Sequence, residues 1–387
     1  MPAYLTIDSA TDVRAWSGLN LNIRNAIENA GIELRPVADN LLARHTLFPR
    51  IASKAWGLFN RNYPLERDRS VARQWSDHAD SIISTRRDVR TVISTGTIGI
   101  AQLPARYKTA IWADATFHSL RTTYPEFARL SASSIESGDW LERTAYDRAS
   151  LVCFSSDWAA NDAAEFYNVP PAKLAVVPFG ANCDRVFETE AEAATWVASK
   201  NYEELHILFV GVDWHRKGGP LILEAARHLR NRGVRVVLSI VGCLIPDDQE
   251  SATWVKQYGF LNKQNPIDFA VFDSLFKSAH LLCVPSIAEC FGLVYAEASA
   301  YAVPSIARNV GGVSNAIQDH KNGFLIRNET NGQDLAELIR SIWDNHSLYT
   351  NLALNSYRQW ADRLNWARAG EDFVESLRSL IDSNDLK

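Results

Sequence analysis

The sequence predicts an α/β protein built from two parallel sheets wrapped by helices, and three observations carry that reading. Short apolar runs of strand length alternate with helix-like segments along the chain, the sign of a parallel sheet covered by helices. At least one apolar run, His280-Leu-Leu-Cys-Val-Pro285, ends in a turn that opens a helix at a glycine, as strand–loop–helix units do. The length of 387 residues exceeds what one core usually holds, so two domains of ordinary size are expected.

Taken in order, residues 4–8 form an apolar run that reads as a first strand, and residues 19–30 read as a helix stopped by Gly31. Ala15-Trp-Ser-Gly18 lies between them. The runs at 32–37, 81–85, 91–94 and 109–114 continue the sheet pattern. Residues 38–77 are rich in Arg and Trp and less regular, which suits one or two helices covering the sheet and contributing acceptor contacts. Residues 151–161 and 166–182 read as strand, capped helix, turn and strand. Acidic and polar residues at 184–192 then replace the sheet pattern and mark a boundary.

A second series opens with the strand 205–211, the loop Val212-Asp-Trp-His-Arg-Lys-Gly-Gly-Pro220 and the helix 221–229. Strands follow at 234–242, 280–285, 303–307 and 322–326, with the turn Gly259-Phe-Leu-Asn262 and the loop Asn309-Val-Gly-Gly-Val-Ser314 among them. The stretch 335–386 reads as helical throughout.

Composition narrows the function. A net charge of −5 without a dominant basic cluster makes nucleic acid an improbable partner. The five cysteines are odd in number and lack Cys-x-x-Cys spacing, which suggests reduced thiols in a cytoplasmic chain. No apolar run approaches the ~18 residues of a membrane span, and the amino terminus lacks the pattern of a secretory signal. Scattered Trp and Arg leave room for a weak peripheral association with a membrane, which no sustained basic amphipathic helix supports.

The chemistry concentrates in Ser286-Ile-Ala-Glu-Cys-Phe-Gly-Leu-Val-Tyr-Ala-Glu297. A helix that starts at the carboxyl end of a strand aims unpaired N–H groups and a partial positive charge at any anion. The amides near Phe291, Gly292 and Leu293 therefore suit a phosphate. Carboxylates would repel that phosphate, so Glu289 in the loop and Glu297 about one and a half turns into the helix are assigned to hydroxyls on either side of it. A nucleotide-diphosphate sugar has that shape. In the second loop, Arg216 and Lys217 put two cations at a helix start, and an arginine can bind two phosphate oxygens at once.

Glu289 and Glu297 with seven residues between them, and Phe-Gly following the first, resemble the signature of retaining glycosyltransferases of the GT-B fold, family 4 in particular. The resemblance extends from about 152 to 326 and more thinly before that. It implies two Rossmann-like domains with parallel sheets facing a central cleft: an acceptor domain at 1–188, a nucleotide-sugar domain at 189–362, and a helix at 363–387 packing back on the first. Carried over by position, Glu289 would contact the donor sugar and Glu297 the ribose, while Phe260 and Leu261 would line the base pocket. Arg216 and Lys217 would stabilise the leaving diphosphate. Many members place an arginine directly after the strand glycine; Val212 stands there in this chain, so which of the two cations grips the phosphate stays open.

Gly18 matches the family's glycine loop, and a plain turn glycine is the competing reading. His118, in Ala113-Asp-Ala-Thr-Phe-His118, matches a histidine that reaches the donor sugar, with a structural histidine as the alternative. Asp114 is either a loop or base residue or a helix cap, and Phe260 is alternatively a core residue. The expected reaction is transfer of a sugar from a nucleotide-diphosphate donor to a hydroxyl of a glycan, lipid-linked or small-molecule acceptor. Retention and no metal or other cofactor are expected. A nucleotide-sugar 2-epimerase of the same architecture and a noncatalytic nucleotide-sugar-binding homologue are the alternatives.

Overall fold

The computed structural model describes residues 1–7, 9–12, 15–37, 64–86, 88–246 and 252–381. They divide into two compact units, Met1–Pro178 with Trp366–Lys387, and Phe179–Asn365. The first boundary falls at the Pro178-Phe179 bond, upstream of the acidic stretch where the sequence placed it. That stretch is not a spacer. Thr189 caps a helix, α6 (Glu190–Ser199), whose Ala193 and Val197 are buried in the second unit.

In the first unit a six-stranded parallel sheet has the order β2-β1-β3-β4-β5-β6. Its strands are β1 (Ala3–Leu5), β2 (Arg35–Pro36), β3 (Thr91–Ser94), β4 (Lys108–Ala113), β5 (Ala149–Phe154) and β6 (Leu174–Val176). In register, Tyr4 pairs with Ile93 and Ile111 with Val152. The helices are α1 (Leu19–Asn29), α2 (Arg69–Ile83), α3 (Phe117–Thr123), α4 (Ala132–Arg148), α5 (Asp157–Tyr167) and, from the end of the chain, α13 (Trp366–Leu380). α13 packs on α1 so closely that a Cβ at Gly370 would lie 2.1 Å from the Ala26 carbonyl oxygen.

Two expectations are corrected here. Residues 81–85 are not a strand: 81–83 are the last turn of α2, whose Val71, Ala72, Trp75, Ala79 and Ile83 repeat at helical spacing and are buried. An isolated Ile-Ile pair cannot reveal its period. The run 32–37 supplies only the two-residue edge strand β2, ended by Pro36, which cannot donate to a ladder. Of the irregular segment at 38–77, residues 38–63 lie outside the described residues.

The second unit repeats the design, with sheet order β12-β11-β10-β7-β8-β9. Its strands are β7 (Leu205–Val210), β8 (Val236–Val241), β9 (Val255–Gly259), β10 (Leu281–Cys283), β11 (Ser305–Arg308) and β12 (Gly323–Ile326). Besides α6, its helices are α7 (Gly219–Asn231), α8 (Pro266–Ser278), α9 (Leu293–Ala300), α10 (Val313–Ala316), α11 (Gly332–Trp343) and α12 (His346–Asp362). Every residue of β8 and β10 is buried, as expected of strands covered on both faces.

Each sheet grows in one direction and then reverses. In the second unit β8 and β9 extend to one side of β7, while β10, β11 and β12 extend to the other. The reversal places the loops leaving β7 and β10 side by side at the strands' carboxyl ends, where such sheets bind ligands. In the first unit the same reversal lies between β1 and β3. Among the described residues no helix is long and apolar enough to cross a membrane, and all five cysteines are free thiols.

Candidate functional site

The reversal point of the second unit is occupied by the two loops singled out from the sequence. After β7 the chain turns through residues 211–218 into α7. Gly218 has φ +79°, and a Cβ there would lie 2.2 Å from the Pro285 carbonyl oxygen, so the loops after β7 and β10 touch backbone to backbone. Further bonds tie them. The Ile287 amide donates to the Arg216 carbonyl at 2.8 Å, and Arg216 Nη1 donates to the Ala288 carbonyl at 3.2 Å.

Lys217 Nζ forms an ion pair with Glu289, and both side chains are almost enclosed, at 13% and 11% exposed. Ser286 Oγ also donates to Glu289, at 3.2 Å. Arg216 is held from its own loop by Asp213, whose Oδ1 accepts from the Arg216 amide at 3.0 Å. The cations and the loop carboxylate thus form one cluster.

Gly292, at φ +83°, is the N-cap of α9 and carries no side-chain cap. Among the described residues, no hydrogen bond takes up the amides of Phe291, Gly292, Leu293 or Val294. Four successive donors without acceptors, at a helix start, are groups to which an anion can bond. The Phe291 side chain itself is core, packed edge-to-face on Phe179 at 5.7 Å, so only its amide is available. The Glu289 loop is braced from behind by the loop after β11: the Gly312 amide donates to the Cys290 carbonyl at 2.9 Å.

Glu297 is buried on α9, and its Oε1 accepts from Lys263 Nζ at 2.5 Å. Lys263 follows the Gly259 turn and lies 4.3 Å from the Phe272 ring centroid. Phe260 is 72% exposed, which removes the core reading and leaves an aromatic face available at the carboxyl end of β9. Leu261 beside it is half-buried.

In the first unit, Gly18 is the left-handed N-cap of α1, with φ +80°, and the two residues before it, Trp16 and Ser17, also have positive φ. Their loop leaves β1 at the reversal point. Thr95, following β3, donates to Asn20 Oδ1 at 2.9 Å and ties the loop after β3 to the first turn of α1.

His118 takes up a different position from the strand edge. Its ring stacks on Phe166 at 3.8 Å, and its Nδ1 bonds to Asp162 Oδ1 at 2.5 Å. Both partners belong to α5, which begins at the edge with Asp157; at about 1.5 Å per residue Phe166 lies roughly 14 Å along it. These are the contacts of a residue joining two helices, and any sugar contact would have to use Nε2. Asp114 is not the cap of α3, since Thr116 and Ser119 form a reciprocal capping box.

Sequence reading assigned no role to Ser286, in the Glu289 loop itself, and missed Asp162 on α5, Lys263 after β9 and Arg308 at the end of β11. Among the described residues no group of three His, Cys, Asp or Glu side chains could hold a metal ion.

The profile of the family described as glycosyl transferases group 1 matches residues 191–359. A D-inositol 3-phosphate glycosyltransferase of Paenarthrobacter aurescens is 24% identical over 285 residues, which span 70% of this chain and 68% of that protein. Among solved structures, sucrose-phosphate synthase from Thermosynechococcus elongatus superposes with a TM-score of 0.67 at 18% identity, covering 98% of this chain and 99% of that one. HepE of Anabaena in complex with UDP gives 0.65 at 17% identity, covering 98% and 100%. The matched profile includes Arg216, Lys217, Glu289 and Glu297, and the fold likeness runs the length of the chain: residues 191–359 carry the group 1 glycosyl transferase profile, and the chain is a glycosyltransferase of the GT-B fold.

Proposed function

We propose that the chain moves a sugar from a nucleoside-diphosphate donor to an acceptor hydroxyl, with retention at the anomeric carbon and without a metal ion. The observation that carries this reading is the juxtaposition of four unpaired amides at residues 291–294 with the Lys217–Glu289 pair and Arg216. A diphosphate seated on those amides would lie beside the cations, and the carboxylates of Glu289 and Glu297 would remain for hydroxyls. HepE, of the same fold, is a UDP complex, which favours a nucleoside diphosphate as the product that leaves.

In the reaction the bond from the anomeric carbon to the diphosphate oxygen breaks, and a bond to the acceptor oxygen forms on the same face. The acceptor proton passes to a donor phosphate oxygen, and the products are glycoside and nucleoside diphosphate. Negative charge builds on the leaving diphosphate. Preplaced amides and cations act most strongly there, which is how they lower the barrier. Glu289 orients the sugar hydroxyls and, through its ion pair, fixes Lys217. Glu297 takes the ribose hydroxyls, with Phe260 and Leu261 beside the base. Gly18 and its left-handed loop let the backbone approach the donor or the acceptor closely.

The test is a screen of nucleotide sugars without acceptor for slow hydrolysis, followed by transfer assays with and without EDTA on the donor that reacts. The anomeric configuration of the product is then read by NMR. Product of retained configuration, formed equally with EDTA, is expected. Inversion would remove the retaining mechanism, and loss of turnover with EDTA would remove metal independence.

A further inference from the structure

Arg308 ends β11, the strand next to β10 in the sheet, and so stands at the same carboxyl edge as the Glu289 loop. Its Nη1 donates to the Pro285 carbonyl at 3.2 Å. That oxygen is the one against which Gly218 packs, so the guanidinium lies where the loops after β7, β10 and β11 converge. Its Nε is enclosed and has no hydrogen-bond partner, and among the described residues no carboxylate pairs with it.

The other cations of the site are already answered. Lys217 is paired with Glu289, Arg216 with Asp213, and Lys263 with Glu297. An incoming phosphate must compete with a carboxylate for each of them. A partly enclosed guanidinium without a counter-ion carries an uncompensated desolvation cost, which an anionic ligand would relieve. Burial accordingly lowers the Arg308 pKa. With Nη1 on the Pro285 carbonyl and Nε enclosed, Nη2 is the nitrogen left to meet a phosphate oxygen, and the delocalised charge of the guanidinium acts through it.

We propose that Arg308 is a ligand of the donor's diphosphate, supplying the one site cation among the described residues that gains its first counter-ion when the donor binds. The inference rests on the reading of this edge as a nucleoside-diphosphate site. It predicts a phosphate-specific role: Arg308 adds affinity for the charged part of the donor and none for the nucleoside.

Calorimetric titration of the full-length wild type, Arg308→Gln and Arg308→Lys with UDP, GDP and ADP, and with the matching nucleosides and inorganic diphosphate as competitors, tests it. The diphosphate that binds the wild type should bind Arg308→Gln about tenfold or more weakly, as expected for a lost charge-assisted contact. Its salt dependence should be shallower, and the nucleoside should bind both proteins alike. Arg308→Lys, which keeps the charge and loses the guanidinium, should fall between them, and it carries the test if the glutamine variant does not fold.

Equal diphosphate affinity in the wild type and either folded variant overturns the proposal. So does an equal loss for nucleoside and diphosphate, which would make Arg308 a brace for Pro285 only. If none of the three diphosphates binds the wild type, the donor-site reading fails first, and the role of Arg308 falls with it.

Discussion

Replacing Gly311 by alanine should disable the site from outside it. Gly311 has φ +54°, and a Cβ built there would sit 1.8 Å from the Glu289 carbonyl oxygen, where ordinary contact begins at 3.4 Å. The Glu289 backbone must therefore retreat by more than an ångström, and the Gly312 to Cys290 bond holds the two loops too close for the Gly311 side alone to yield. Two costs add: about 1–2 kcal/mol for a left-handed residue with a side chain, and about 1–3 kcal/mol for overpacking. The total is roughly 2–5 kcal/mol. Gly233→Ala provides the control, because Gly233 has φ +85° with nothing within 4 Å of its would-be Cβ. It should lose only the first term. A displacement of about 1 Å at a reacting group can lower turnover about a hundredfold, so Gly311→Ala should also lose most transfer activity while Gly233→Ala keeps it. Urea denaturation gives the stabilities and a donor-consumption assay the rates. If the two variants match each other in both measurements, the close approach drawn here is wrong. Lost stability with unchanged turnover would instead remove Glu289 from the reaction.

Lys217→Ala and Arg216→Ala should each lower kcat/KM tenfold or more if each cation supplies at least about 1.4 kcal/mol to the transition state; unchanged kinetics in both would eliminate the phosphate clamp. Glu297→Gln, which ends the ion pair with Lys263, should chiefly weaken donor binding, and calorimetry giving the wild-type affinity would exclude a ribose contact. Burial of Lys200 lowers its pKa to about 7, below the value of about 10.4 in the unfolded chain. Between these values the unfolded chain holds a proton that the folded chain does not, so this residue makes stability rise with pH from about 7 to about 10. Lys200→Met should flatten that rise in denaturant melts; an identical rise in the variant would mean that another group causes it.

The fold was legible because its signals are local. Thr91–Ser94 and Lys108–Ala113 are segments of strand length around Val92-Ile93 and Ala110–Ala113, and Leu19–Asn29 buries Leu19, Ile23, Ala26 and Ile27 at helical spacing. Where period failed, as at Ile82 and Ile83, too few residues carried the pattern. In the site, Glu289, Gly292 and Glu297 lie on one loop and the helix it opens, so their spacing survives folding and can be read along the chain. Phe260 was ambiguous between core and ligand face, because burial is decided by what packs on a residue and not by its type.

His118 marks the limit most clearly. Its position just past β4 suggested the strand edge, yet its partners Asp162 and Phe166 come from another helix, and no local pattern announces that pairing. Lys217 meeting Glu289, Lys263 meeting Glu297, and Arg308 left without a carboxylate are likewise products of strand order. The sequence by itself determined which segments are strands and helices, that they alternate as a parallel sheet requires, and which loop carries the paired glutamates. Only the tertiary structure decided that β10 returns beside β7, because hydrogen bonding between strands far apart in the chain chooses neighbours by fit and not by order. That choice brings two loops about seventy residues apart to one edge, and with them the charges that hold each other there.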